Sequence, residues 1–336
     1  MNIYDISEKA GVSIATVSRV LNGSSNVSEK TRKKVLDIME KYGYTPNAFA
    51  RGLGLNTMKT IGLLCTDSSD LYQAKAIYHI EQQLRGEGYD SILCCSGFEL
   101  EDKKKCVNLL LNKKVDALIL IGSSFVYDTE MENRYIAEAG EQVPVMLLNA
   151  ALEVPNVYGV LTDDERSVYE AVAKLEKEGM RKIMYFYNSD SYSGKKKLTG
   201  YVNAVEKLEL EKKEGLLQFY GNDHENIPGI AKHLWELRER GVEFDAVIAS
   251  DDQLALGVVK FAKQAGIKIP EELSIIGYNN SMLATCSDPE ISSIDIRLEK
   301  LCQHLTASLM HALDGEELPG KAVFSGELIE RETTKK

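Results

Sequence analysis

Small, hydroxyl-bearing and basic side chains near the N-terminus have the chemistry needed to contact a DNA duplex. Arg19 is able to donate two hydrogen bonds to guanine O6 and N7, whereas Ile14 and Ala15 offer only apolar contact, for instance to a thymine methyl group. Nearby hydroxyl and amide groups suit phosphates and base edges, and they belong to Thr16, Ser18 and Asn22. An arginine is also common on an ordinary helix surface, so the interpretation depends on the elements that carry these residues.

Two short helices joined by a tight turn are predicted to position these side chains. At a period of 3.6 residues, Ile3, Ile6 and Ala10 share one helix face, and Gly11 then ends the helix because glycine readily takes positive φ. Ser13 is placed to cap a second helix, whose buried face consists of Val17, Val20 and Leu21. The pattern is typical of a helix-turn-helix, whose second helix fits the DNA major groove. An ordinary helical hairpin in a core is the alternative that the pattern alone leaves open.

Residues 10–53 resemble the DNA-binding head of the lac repressor/gal repressor family of bacterial transcription regulators, and they read AGVSIATVSRVLNGSSNVSEKTRKKVLDIMEKYGYTPNAFARGL. Within this family, the head is most similar to the catabolite control branch. The similarity is carried by two segments, SIATVSRVLNG and NAFARGL. The resemblance implies that base edges are read by Ile14, Ala15 and Arg19. The other head residues assigned to the DNA contact, some of which also hold the helix geometry, are Ser13, Thr16, Ser18, Asn22, Asn26, Ser28 and Thr31.

Residues 46–59 form the predicted joint between a head of residues 1–45 and a core of residues 60–336. The resemblance implies a hinge helix that forms on DNA and inserts Leu53 as an apolar wedge at the operator centre. The neighbouring positions that match the family's contacts are Asn47, Ala48 and Arg51. Gly52 and Gly54 each cost about 1 kcal/mol in a helix, so we predict a hinge that is disordered without DNA. A plain flexible linker is the alternative.

Charge is distributed unevenly along the 336 residues, although the net charge of −11 alone argues against a nucleic-acid partner. Residues 1–60 hold nine Lys or Arg and five Asp or Glu, so this end carries +4 and the remainder −15. A basic head on an acidic body directs one end of the molecule at phosphates.

No run approaches the roughly 18 apolar residues of a membrane span, and the N-terminus lacks an apolar leader, which predicts a cytoplasmic protein. The six cysteines show no metal-ligand spacing and are expected to be reduced.

Apolar strand-like runs alternate with amphipathic helical stretches from Thr60 onward, which predicts parallel sheets with helices on both faces. The strands are too numerous for one sheet. We therefore predict an α/β core of two doubly wound lobes behind an all-α helix-turn-helix head. The first lobe is expected over about 60–160 and 290–320, and the second over about 161–289 and 321–336. The strand at 291–296 with its following helix is expected to return to the first lobe, and a last strand near 321–329 to pair with the second. Such crossings resemble the periplasmic-binding-protein-like core of the same family.

Polar residues at the carboxyl ends of the predicted strands indicate a ligand cleft between the lobes, because ligands of open α/β sheets bind there. The family's aromatic contact is matched by Tyr72, but Lys197 stands where the family has Arg and Asn279 where it has Asp. The full candidate set is Ser68, Ser69, Tyr72, Ser124, Asn149, Lys197, His224, Asp251 and Asn279. Strand ends in this fold are polar in any case, so a purely structural role is the alternative.

The effector class stays open at this point. Lysine lacks arginine's bidentate fork and asparagine lacks an anionic acceptor, which argues against a simple sugar. A sugar-related, phosphorylated or amino-containing metabolite, a protein co-effector, or no effector are all compatible with the sequence. Members of the catabolite control branch bind a phosphorylated carrier protein through an acidic residue and an Arg. Lys300 and Ala307 occupy those two positions in this sequence. We therefore do not predict that partner for this protein.

The expected function is a sequence-specific DNA-binding regulator, a homodimeric repressor controlled by a small molecule between its lobes. The alternatives are a catabolite-control-type regulator with a protein co-effector and a sugar-binding receptor without a DNA role. We expect no enzymatic activity and no cofactor or metal, because the sequence contains no nucleophile elbow, no glycine-rich dinucleotide motif after a strand and no P-loop.

Overall fold

The computed structural model describes residues 2–21, 25–44, 57–213, 215–221 and 226–335, and its N-terminal part is a head of three helices. They are α1 (Ile3–Ala10), α2 (Ile14–Leu21) and α3 (Glu29–Lys41). Gly11 ends α1 in the left-handed region, with a φ of 60°, as predicted. Ser13 Oγ accepts a hydrogen bond from Thr16 N (3.2 Å) at the start of α2, and Ser28 Oγ accepts one from Thr31 N (3.3 Å) at the start of α3.

A small apolar core holds the three helices together. Its buried members come from all three helices, and they are Ile6, Ala10, Val17, Val20, Val35 and Met39. This confirms the predicted buried faces of α1 and α2, although Leu21 is only partly buried. The core fixes which side of α2 faces away from the head.

The first lobe is a six-stranded parallel sheet with helices on both faces. Its strands are β1 (Thr60–Cys65), β2 (Asp90–Cys95), β3 (Ala117–Ile121), β4 (Val145–Leu148), β5 (Val157–Thr162) and β11 (Lys321–Phe324). They lie in the order β11-β5-β4-β3-β1-β2. Its helices are α4 (Leu71–Gly86), α5 (Leu100–Asn112), α6 (Glu130–Gly140) and the late α12 (Leu298–Leu313), with a 3-10 turn at Ser123–Phe125.

The second lobe repeats this arrangement. Its strands are β6 (Ile183–Tyr187), β7 (Leu217–Phe219), β8 (Ala246–Ala249), β9 (Ser274–Tyr278), β10 (Ser292–Asp295) and β12 (Glu327–Ile329). They lie in the order β12-β10-β9-β8-β6-β7, and only β12 is antiparallel to its neighbour. Its helices are α7 (Asp164–Lys177), α8 (Tyr192–Lys207), α9 (Ile227–Glu239), α10 (Asp252–Ala265) and α11 (Met282–Cys286).

The lobes exchange late segments in a way that differs from the prediction. The assignment of residues 291–296 to the first lobe is wrong, because β10 pairs in parallel with β9 of the second sheet. The helix that follows, α12, does return to the first lobe, where it packs against α4. The single last strand predicted near 321–329 is two strands: β11 pairs with β5 in the first sheet, and β12 pairs with β10 in the second. The chain therefore crosses between the lobes three times.

Candidate nucleic-acid interface and ligand cleft

The face of α2 that points away from the head core carries the residues predicted to read DNA. Four of them are exposed, namely Ser13, Ile14, Ala15 and Arg19, while Thr16 and Ser18 are half-buried. Ile14 leaves 39 % of its surface exposed at the first position of the helix, although the core is filled from the opposite face. The groups available to a groove are therefore two apolar side chains, one guanidinium and several hydroxyls.

Two pairs of hydroxyl-bearing residues stabilise the first turns of α2 and α3, and they also carry groups that suit phosphates. Ser13 Oγ lies 2.9 Å from Thr16 Oγ1, and Ser28 Oγ lies 2.9 Å from Thr31 Oγ1. Asn26 is exposed just before α3. Because each serine also caps a helix, these residues orient the free N–H groups of the first turns, which themselves attract phosphate.

Several predicted contacts lie outside the described residues. On the DNA side these are Asn22 and the hinge positions Asn47, Ala48, Arg51 and Leu53, and in the cleft it is His224. Their roles stay predictions.

A cleft of about 1160 Å³ lies between the two lobes, at the carboxyl ends of the parallel strands of both sheets. Residues from both lobes line it, which is the arrangement that the polar strand ends predicted. The predicted residues among them are Ser69, Tyr72, Ser124, Asn149, Lys197, Asp251 and Asn279. The structure thus brings to one place residues that are more than 200 positions apart in the chain.

Ser68 does not line the cleft, contrary to the prediction. Asp67 Oδ1 accepts hydrogen bonds from both Ser69 N (2.8 Å) and Ser69 Oγ (2.7 Å). This tight turn leaves Ser68 exposed at its tip and places Ser69 on the cleft wall.

Lys197 is buried in the second-lobe wall, and its charge is engaged within the protein. Its Nζ donates to Ser250 O (3.0 Å) and lies 3.6 Å from the centre of the Tyr278 ring. Burial lowers the pKa of Lys197, while the carboxylates of Asp164, Asp251 and Asp252 oppose that shift. The ammonium therefore shapes the wall more than it offers a free cation to an anionic ligand.

Asp164 is the carboxylate that most strongly opposes the pKa shift of this lysine, and sequence reasoning missed it. Its carboxylate accepts hydrogen bonds from Tyr278 Oη and from Ser193 Oγ, each at 2.5 Å. Burial raises the pKa of Asp164, and Lys197 acts in the opposite direction. Asp164 opens α7 directly after the chain crosses from the first lobe, so this cluster joins the cleft wall to a lobe crossing. The sequence feature that could have indicated Asp164 is its position as a carboxylate at the start of a helix that directly follows a strand.

The neighbouring carboxylates Asp251 and Asp252 have different partners. Asp251 caps α10 by accepting from Leu254 N (2.7 Å) and also accepts from Asn188 Nδ2 (2.6 Å). Asp252 is buried, accepts from Ser293 Oγ and Ser281 N at 2.6 Å each, and has a pKa raised to about 6 by burial. Each carboxylate therefore holds local structure, and the two do not face one another as an acid–base pair.

Two lining asparagines turn the backbone at the strand ends. Asn149 has a φ of 64° and Asn279 a φ of 83°, in the left-handed region that asparagine tolerates better than most residues. The turns bring their amide groups to the cleft wall directly after β4 and β9.

Direct contacts join the lobes beside the cleft. Ser123 Oγ donates to Ser191 Oγ across the gap (2.9 Å), and Lys195 of the second lobe pairs with Asp128 of the first. The first-lobe side is held by the buried Lys103, whose Nζ donates to Ser124 O (2.7 Å) and to Tyr127 Oη (2.8 Å). Residues 123–128 thus form a fixed wall that meets the start of α8.

Tyr72 lines the cleft and carries a polar group without a hydrogen-bond partner in the described residues. Its hydroxyl is buried and has no hydrogen-bond partner within the described part of the chain. Burial raises its pKa well above the ordinary tyrosine value, so the group is a neutral donor and acceptor. A ligand in the cleft can bond to this hydroxyl only if the side chains that cover it move.

Comparison with known proteins identifies the family of this chain. Residues 2–47 match the model described as bacterial regulatory proteins, lacI family, and residues 172–334 match a periplasmic binding protein-like domain. An HTH-type transcriptional regulator of Lachnoclostridium phytofermentans is 53% identical over 334 residues, which cover 99% of both chains. This chain belongs to the lacI family of bacterial regulatory proteins.

More distant relatives are similar to this chain along most of its length. Catabolite control protein A of Priestia megaterium is 31% identical over 88% of this chain and 87% of its own. The crystal structure of the lac repressor dimer bound to operator and the anti-inducer ONPF superimposes with a TM-score of 0.86, at 23% identity and 99% coverage of each chain.

The lacI-family membership confirms the predicted fold and function class. The protein is a transcriptional regulator with a DNA-binding helix-turn-helix head and an effector-binding core of two lobes. Among the helices that the structure describes, none combines the length and apolarity that a membrane span requires.

Proposed function

We propose that this lacI-family regulator is a repressor that binds a pseudo-palindromic operator as a homodimer, and that a small molecule in the cleft sets its operator affinity. One observation carries the proposal: an exposed recognition face on α2 and a cleft of about 1160 Å³ occur in the same chain. The lac repressor dimer, whose fold this chain shares, was crystallised with operator and an anti-inducer, which supports the same division of labour.

The proposed DNA contact has two parts. The first is α2 in the major groove, with Arg19 on a guanine and Ile14 and Ala15 in apolar contact with neighbouring bases. The second is residues 46–59, which we propose form a hinge helix on DNA, with Leu53 as the wedge and with contacts from Asn47, Ala48 and Arg51. Two heads related by a two-fold axis then require half-sites about one helical turn, roughly 34 Å, apart.

The proposed effector is an uncharged, hydroxyl-rich molecule of sugar type. The cleft is lined by residues that carry hydroxyl or amide groups, namely Ser69, Tyr72, Ser124, Asn149 and Asn279. The buried cation on its wall, Lys197, is already engaged by Ser250 O, the Tyr278 ring and nearby carboxylates. Lys197 therefore offers no free counter-charge to a phosphorylated ligand, although Lys75, Arg297 and Lys300 also line the cleft. Our preference for a sugar-type effector rests on the uncharged hydroxyl and amide residues of the wall.

Ligand binding is proposed to act by changing how the lobes meet. The contacts Ser123–Ser191 and Lys195–Asp128 join the lobes next to the ligand groups, so a ligand that alters the gap also alters them. Movement of one first lobe relative to that of the second subunit would order or separate the hinge helices. We propose that the protein acts in the cytoplasm, on DNA, and catalyses no reaction.

Fluorescence anisotropy tests this proposal. The full-length protein is titrated with a pseudo-palindromic duplex that has a central CG step, and with the same duplex after its half-sites are scrambled, across a range of salt. We expect tight binding to the palindrome only, with a steep negative salt slope. Equally weak binding to both duplexes, with and without candidate sugars, would count against the repressor and favour the catabolite-control alternative, which needs a protein co-effector.

A further inference from the structure

Two thiols face each other at the carboxyl end of the first sheet. Cys65 is the last residue of β1 and Cys95 the last residue of β2, and the two are register partners in adjacent parallel strands. Their Sγ atoms are 3.5 Å apart. Cys65 is buried and Cys95 is exposed, so one thiol of the pair is open to reagents and the other lies directly behind it.

The backbone spacing allows a covalent bond between these residues. Neighbouring strands lie about 4.8 Å apart, which falls within the roughly 4.4–6.8 Å that a disulfide requires between Cα atoms. The sulfur atoms must approach by about 1.5 Å to reach the disulfide length of about 2.05 Å, a change that side-chain rotation and small backbone shifts can supply. Within the described residues, no group of three or more His, Cys, Asp or Glu is placed to hold a metal that would occupy these thiols.

We propose that Cys65 and Cys95 are an oxidisable dithiol, which hydrogen peroxide or an organic hydroperoxide converts into an intrachain disulfide. The Cys95 thiolate attacks the peroxide oxygen, which gives a Cys95 sulfenic acid and releases one water or alcohol. Cys65 sulfur then attacks the Cys95 sulfur, and the departing hydroxide takes the Cys65 proton and leaves as water. Two thiols lose two electrons and two protons, and the peroxide is reduced to two hydroxyl products.

The surroundings of the two thiols determine which of them reacts first with the peroxide. Cys95 is reached first because it is exposed on β2, the edge strand of the sheet. Burial raises the pKa of Cys65 to about 12, so this residue stays a neutral thiol until the sulfenic acid forms beside it. Cys95 is therefore the attacking residue and Cys65 the resolving residue.

The bond would act on the wall of the ligand cleft, because both strands lead directly into it. Thr66 follows Cys65, and its N and Oγ1 donate to Gln73 Oε1 at 2.8 and 3.1 Å. Ser96 follows Cys95, and its N donates to Cys65 O at 2.9 Å. Thr66 and Phe98 both line the cleft. Drawing the two strand ends together therefore changes the positions from which these two loops start.

A second thiol pair on the other face of β2 provides an internal comparison. Cys94 points away from Cys95 and lies against Cys106 of α5, and burial raises the pKa of Cys94 to about 12. Neither of these residues is exposed. Mild oxidation is therefore expected to select the Cys65–Cys95 pair.

Peptide mapping of the full-length protein tests the site. Reduced protein is treated with hydrogen peroxide, remaining thiols are alkylated, and the digest is analysed by mass spectrometry. We expect two of the six thiols to disappear, a linked peptide pair joining Cys65 and Cys95 to appear, and dithiothreitol to restore all six. Hydrogen exchange in residues 66–70 and 96–99 should change on oxidation and recover on reduction.

Three variants sharpen the test. Cys95→Ser should abolish the linked peptide, and Cys65→Ala should leave a sulfenic acid on Cys95 that dimedone traps. Cys286→Ser removes another exposed thiol, on α11, and should leave the bond unchanged. Six remaining thiols, a bond between Cys94 and Cys106 alone, or a bond between Cys95 residues of two chains on a non-reducing gel would each overturn the proposal. The readout needs neither DNA nor effector, so it is independent of the proposed repressor function.

Discussion

Arg19 is the charged side chain on α2, and it lies exposed beside Ile14 and Ala15. We expect Arg19→Ala to weaken operator binding by about 1–3 kcal/mol and to relax the preference at a single base pair, because a bidentate contact to guanine is base-specific. The measurement is anisotropy on a set of palindromic duplexes in which each half-site base pair is changed in turn.

Lys30→Ala is the matched control for this variant. Lys30 is exposed on the first turn of α3, outside the recognition helix, so its loss should weaken binding to all duplexes alike and reduce the salt slope. If Arg19→Ala gives the same uniform loss, Arg19 contacts phosphate and reads no base.

Asp252 makes the stability of the second lobe depend on pH. Its pKa is raised to about 6 by burial, above the value of about 3.9 that an aspartate has in an unfolded chain. The folded protein therefore binds more protons than the unfolded chain between about pH 4 and pH 6, so stability is lost as pH rises through this window. Asp252→Asn removes the buried charge and keeps an acceptor for Ser281 N. We expect the difference in unfolding free energy, variant minus wild type, to grow by about 2 kcal/mol from pH 4 to pH 7.

Urea denaturation at a series of pH values measures this difference. The lowest pH of the series, pH 4, serves as the reference, because the aspartate of the folded protein is still protonated there and the two proteins should differ least. A difference that does not change with pH would mean that Asp252 keeps an ordinary pKa in the folded protein.

Individual cleft residues were predictable as strand ends, but their partners were not. Tyr72, Asn149 and Asn279 follow apolar runs or open the next helix, so a parallel-sheet pattern is sufficient to bring them together. The contacts of Asp164 depend instead on Tyr278, 114 residues later, and on Ser193, 29 residues later. No local pattern links residues at such distances, because their contact is set by how α7, α8 and β9 pack within the second lobe.

The turn between α1 and α2 fixes the angle at which the recognition helix is presented. Gly11 ends α1 with a φ of 60°, where a side chain is disfavoured by about 1–2 kcal/mol. We expect Gly11→Ala to destabilise the head by that amount, seen as faster hydrogen exchange in α1 and α2 and weaker operator binding. Gly86→Ala is the control, because Gly86 is helical and has nothing within 4 Å of an added Cβ. A slower or unchanged exchange rate in Gly11→Ala would contradict the role of the left-handed turn.

The buried strands of the core were predictable, whereas its edges were not. Continuous apolar runs such as β3 and β8 are buried along their whole length, and such runs identify central strands. The strands β11 and β12 are short, partly exposed and separated by two residues, so their pattern does not show to which sheet each belongs. Pairing with β5 and β10 decides this, and it corrected the predicted lobe boundaries.

Charge separates the working ends of the molecule. Residues 1–60 carry nine basic and five acidic residues, while the whole chain has a net charge of −11. The acidic core repels phosphate, so the head is the part expected to approach DNA. One chain can then sense a small molecule in the cleft and report it at a duplex that the head contacts.

Coupling between the two ends must be reciprocal if ligand and operator act on one conformational equilibrium. A sugar that weakens operator binding must bind less tightly to operator-bound protein by the same factor, and we expect about 5–150-fold, or roughly 1–3 kcal/mol. Isothermal calorimetry of a sugar identified by thermal-shift screening, on free protein and on protein saturated with the palindromic duplex, measures this factor. The scrambled duplex should leave the sugar affinity unchanged. Equal affinities with and without the palindrome would show that the head and the cleft are uncoupled, and that the Ser123–Ser191 and Lys195–Asp128 contacts serve only to hold the lobes together.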